Sequence, residues 1–171
     1  MKRTITRATL LLLLLLAILH SNTFAQTQAI SEQDLSLSVL KWFYSKYPGI
    51  EGVEWAEAIS QSGEKLFQAE FKLDGHDYTA ILNKSGKIMY ENKEFDKKDS
   101  PVPILDHAQS NFEKFKLVSV HKHTNYTYGA LNTEETNYEL IVKVNGEQRS
   151  IWFNENMNRN DSFETSNLAV K

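Results

Sequence analysis

The chain has 171 residues, no cysteine and a formal net charge of −3. Without cysteine there are no disulfide staples, no thiol chemistry and no cysteine-ligated metal. Three of the 19 basic residues (Lys2, Arg3 and Arg7) and none of the 22 acids fall in the first 25 positions, so the remainder carries six net negative charges, which argues against nucleic acid as a partner.

Residues 1–25 read as a signal peptide. The basic start is followed by a leucine-rich run, Ala8 to Leu19, and then by Thr23-Phe24-Ala25, with small residues at the two positions a signal peptidase reads. That run is shorter than the roughly 20 residues a spanning helix needs, and nothing later is longer or more apolar. Cleavage after Ala25 is expected, with no membrane insertion of the product and a location in the periplasm or outside the cell. After a short tether at 26–30, Ser31 and Asp34 form a capping-box pattern, and Leu35, Val39, Trp42 and Phe43 follow at helical spacing up to the Pro48-Gly49 stop. Val53 and Trp55 share one face of a short strand. Phe67, Ala69, Phe71 and Leu73 alternate with Gln68, Glu70 and Lys72 as a half-buried strand should. Asp74-Gly75 is a tight-turn signal, and Tyr78, Ala80 and Leu82 bring the chain back. A turn at Lys84-Ser85-Gly86 leads into a strand at 87–91, and the charged stretch 91–100 reads as a linker.

The second half has the same order. Pro103 is placed to open a helix, and Ile104, Ala108, Phe112 and Phe115 form its apolar stripe. Val118 and Val120 alternate, 125–136 reads as a long loop, and Tyr138, Leu140, Val142 and Val144 form a strand. Asn145-Gly146 is the strongest hairpin signal, with Ile151 and Phe153 on the returning strand. The sequence therefore predicts an α+β fold of two tandem repeats, each a helix packed on its own antiparallel sheet. They would span 26–98 and 99–160, ahead of a polar tail at 161–171.

The run YSKYPGIEGVEW at 44–55, followed by LFQAEFKLDGHDYTAILNKSGKI at 66–88, resembles the PepSY-like, β-lactamase-inhibitor-like (BLIP-like) exported bacterial proteins. The shared pattern is an aromatic-Pro-Gly helix exit, a Val-x-Trp strand, an alternating strand, a Gly turn and a strand closing on Asn-x-x-Gly. Residues 103–157 fit it more loosely: Val120 stands where the first half has Trp55, and Met157 where it has Gly86. The resemblance implies helices on antiparallel sheet and, for the inhibitors of this type, an open sheet face that grips a protein.

Catalytic patterns are missing. There is no GxSxG, no HExxH and no Gly-rich phosphate loop, so neither an enzyme nor a cofactor is expected. Asp74 to Asp77 is a hairpin tip. His121 and His123 would share one side of a strand but lack a nearby third ligand, and the asparagines from Asn154 to Asn160 lack the acids and glycine of a calcium loop. With Ala69, Phe71, Ala80 and Leu82 inward, alternation turns Ile81, Met89, Ile141 and Trp152 outward among Glu70, Lys72, Glu139 and Lys143. Tyr126 and Tyr128 would extend that face. These six residues are the candidate partner-binding set, and the expected function is non-enzymatic recognition of an extracytoplasmic protein. A homodimer across this face is an open alternative. So is a small-ligand or envelope-stress module with a cleft between the repeats.

Overall fold

A computed structural model describes residues 27–60 and 62–160. The signal peptide, its cleavage point and the polar tail lie outside these residues. Eight strands form one antiparallel sheet in chain order: β1 (Thr27–Ile30), β2 (Glu54–Ile59), β3 (Lys65–Leu73), β4 (His76–Asn83), β5 (Ile88–Phe95), β6 (Lys116–Thr127), β7 (Thr133–Val144) and β8 (Glu147–Asn154). Helix α1 (Leu37–Lys46) precedes β2, and α2 (Val102–Asn111) joins β5 to β6. The capping box of Ser31 and Asp34 closes only a short 3-10 turn, Glu32–Asp34. The α-helix begins one step later, where the Ser36 hydroxyl accepts from the Val39 N–H.

Both helices lie on one face. Val39, Phe43 and Tyr47 pack with Trp55, Phe67, Ala69, Phe71, Ala80 and Leu82. Ile104 and Ala108 pack with Val120, Leu140, Val142, Ile151 and Phe153. The register ties these strand positions to a single side, through Trp55↔Ala69↔Ala80 in the first half and Phe95↔Val120↔Leu140↔Ile151 in the second. The two tightest turns are of the primed type: Asp74 and Gly75 have φ of 52° and 80°, Asn145 and Gly146 52° and 89°.

The expectation of two helix-on-sheet repeats is wrong, because the sheet is continuous. β5 pairs with β6 from Tyr90↔Asn125 to Phe95↔Val120, so no edge separates the halves. The stretch read as a linker is strand through Phe95. Its charges suggested solvent, and an edge strand is where charges are usual. Left unpaired, however, β5 would expose a row of N–H and C=O groups that pairing with β6 satisfies. The supposed loop at 125–136 is the end of β6 and the start of β7, paired with each other around a tip at 128–132. The supposed tether is β1, paired to β2 from Thr27↔Ala58 to Ile30↔Trp55.

Candidate functional site

Alternation sends every second side chain of the sheet to the face away from the helices. Two adjacent rows cross four strands there. One runs Glu94↔His121↔Glu139↔Trp152, the other Asn92↔His123↔Asn137↔Asn154. They are joined by hydrogen bonds. The Tyr90 hydroxyl lies 2.6 Å from His123 Nδ1, and His123 Nε2 lies 3.3 Å from Glu139 Oε2. Nδ1 accepting from the phenol and Nε2–H donating to the carboxylate satisfies all three groups with one tautomer. Ser150 donates to the other Glu139 oxygen, and Ser119 bonds His121 Nε2 at 2.9 Å. The His121 ring stacks on His123 at 5.9 Å, and the Trp152 ring lies 4.9 Å from His123.

Burial sets the charges. It pushes the His121 imidazole down to about 4, and the neighbouring His123 adds to the effect. Burial also pushes Glu139 up, but the His123 and Ser150 hydrogen bonds and the two imidazoles outweigh it and hold the carboxyl below its usual value. Burial, then the Glu139 charge, raises Tyr90, which therefore stays a phenol. The cluster is thus a hydrogen-bonded polar platform with the Trp152 ring against it. Among the described residues, no group of three or more His, Cys, Asp or Glu side chains converges as a metal site would need.

Stability should fall with acid because of this cluster. An unfolded histidine titrates near 6.5, whereas folded His121 stays neutral to about 4, so between those values the unfolded chain binds more protons. The contribution is complete above pH 6.5 and is lost as pH falls through the window. Glu139, with its lowered value, acts in the same direction. The urea-unfolding free energy should drop by about 1–3 kcal/mol from pH 7 to 4.5, and His121→Gln should shrink that drop. An equal drop in the variant would assign the pH dependence elsewhere.

The expected partner-binding residues divide. Ile81, Ile141 and Trp152 are on the face opposite the helices, Ile81 buried and the other two half-buried. Met89 sits at a bulge where the register slips between Ile81 and Leu82, with the Asn83 amide 3.7 Å from its sulfur. Tyr126 does not extend that face, and Tyr128 lies just past the end of β6. Tyr126 points to the helix side and bonds Glu91 and Lys46, while Tyr128 donates to the Ile88 carbonyl at 2.8 Å. Alternation made Glu139 visible as an outward residue and put His121 and His123 on one side of a strand. Tyr90 was missed, because only the β5–β6 register brings it to His123.

No protein-family model matches the sequence, and neither does any curated protein. Solved structures do match. A protein from Bacteroides eggerthii named as periplasmic aligns at 16% identity over 73% of this chain and 85% of its own, with a TM-score of 0.54. A BLIP-like protein from Bacteroides fragilis gives 15%, 74%, 83% and 0.56, and a DUF2874 family protein from Bacteroides uniformis 14%, 72%, 85% and 0.55. Among the described residues no helix is long and apolar enough to cross a membrane. The resemblance carried by the Pro-Gly helix exit and the Val-x-Trp strand therefore holds in three dimensions: the chain shares the fold of the BLIP-like and DUF2874 family proteins.

Proposed function

We propose that this is an exported, non-enzymatic binding protein that recognises another extracytoplasmic protein through the sheet face opposite its helices. The observation that carries the reading is the hydrogen-bonded Tyr90–His123–Glu139 platform with Trp152 against it and Ile141 beside it. A large aromatic held by a rigid polar support, with aliphatic side chains around it, is the composition of an interface hot spot. The leader-like N-terminus and the neighbour named as periplasmic support an extracytoplasmic site of action. The name of the BLIP-like neighbour supports inhibitor-type binding.

The test compares two tryptophans. Trp152 is on the proposed face, and Trp42 is 57% exposed on α1, on the opposite side. Envelope proteins captured on the wild type are rebound to each variant. Trp152→Ala should weaken the partner by about 2 kcal/mol or more, and Trp42→Ala should leave it within about 0.5 kcal/mol. Chromatographic mass measurement on the same variants reads self-association across the face. Loss of the partner with Trp42→Ala and its retention with Trp152→Ala would move the interface to the helix side.

A further inference from the structure

The helix side of the sheet is not wholly covered. α1 sits over β2–β4 and α2 over the far ends of β6–β8, and between them lies a cleft of about 350 Å³. Its walls are Tyr78, Lys93, Phe95, Lys122, Tyr126 and Tyr138, with Glu91 and Thr124 at one end. The floor is a single row across four strands, Tyr78↔Lys93↔Lys122↔Tyr138. Two lysines therefore stand directly opposite each other on neighbouring strands, an arrangement that disfavours the sheet unless a negative charge answers it.

The protein supplies no such answer among the described residues. Glu91 is taken by Lys46, at 2.6 Å, and by the Tyr126 hydroxyl. Glu134, across from Tyr126, is exposed at the rim. No ion pair reaches Lys93 or Lys122. The Lys93 ammonium instead lies 4.6 Å from the centre of the Phe95 ring and 5.8 Å from that of Tyr78. Both lysines are half-buried, so water and salt screen their repulsion less than at an open surface. Two uncompensated cations in a cleft walled by aromatic rings form a site for a negative head group on an apolar body, and the cleft is at the small end of ligand-pocket sizes.

We propose that this cleft binds a small organic anion, with its charged head between Lys93 and Lys122 and its body against Tyr78, Phe95 and Tyr138. The site is on the opposite side of the sheet from the protein-binding face, and neither reading depends on the other.

The probe is anilinonaphthalenesulfonate, an aromatic anion that fluoresces when bound, with neutral N-phenylnaphthylamine as the control for its body. The purified protein should bind the sulfonate saturably at one site. K93Q and K122Q should each weaken it by about tenfold or more, and the double variant should lose it, while the neutral control changes little. K122Q should also keep or raise the urea midpoint in the absence of anion, since it removes a like-charge neighbour. Three results would overturn the proposal: no saturable binding of the sulfonate to the parent, sulfonate binding by the double variant equal to the parent's, or a lowered midpoint for K122Q. The last would make the lysines structural.

Discussion

Phe43→Ala should lower the unfolding free energy by about 3–5 kcal/mol, the range for truncating a fully buried aromatic. Phe43 has no exposed surface, and four rings surround it: Tyr44 at 5.2 Å, Tyr47 at 5.1 Å, Trp55 at 4.8 Å and Phe71 at 5.2 Å. It is the point where α1 meets β2 and β3, so the cavity left behind would be walled by large, rigid side chains that cannot collapse into it. Urea denaturation of wild type and variant at constant m-value measures the loss. A loss below about 1 kcal/mol would mean that α1 contributes little to the fold.

Gly86→Ala should be nearly as damaging, for a different reason. Gly86 turns the chain between β4 and β5 at φ +84°, where an alanine costs about 1 kcal/mol in backbone strain. A Cβ there would also lie 2.6 Å from the Ser38 carbonyl oxygen and 2.9 Å from the Trp42 ring, so α1 would have to lift off the turn. Displacing backbone adds about 1–3 kcal/mol. Gly146→Ala separates the two contributions. Its φ is +89°, but nothing lies within 4 Å of the added carbon, so only the strain of about 1 kcal/mol remains. Equal urea midpoints for the two variants would show that the helix gives way freely.

The close approach at Gly86 explains something the sequence showed only as a mismatch. The turn at 83–87 has the Asn83 carboxamide accepting from the Ser85 and Lys87 N–H groups. The turn at 154–158 has Asn154 accepting from Asn156 and Asn158 in the same way. Met157 takes the left-handed position there, at φ 62°. A side chain at this position is tolerable in the second turn, whereas α1 rules it out in the first.

What the sequence determined by itself was local. Alternation put Ile151 and Phe153 inward and Trp152 on the other face, because a strand has period two and an error of one residue would turn Ile151 and Phe153 out of the helix-side core. Asp74-Gly75 and Asn145-Gly146 set their hairpins because residues that tolerate positive φ suit a primed turn. What only the tertiary structure decided was pairing between distant segments. The sequence ENKEF carries the charges of a solvated linker, and nothing within it says that β6 will lie alongside. That one pairing merges two expected sheets into one, brings Tyr90 to His123 and sets Lys93 against Lys122. Side-chain parity is a property of each strand alone, but register between strands joined by a long connection depends on the packing of everything around them.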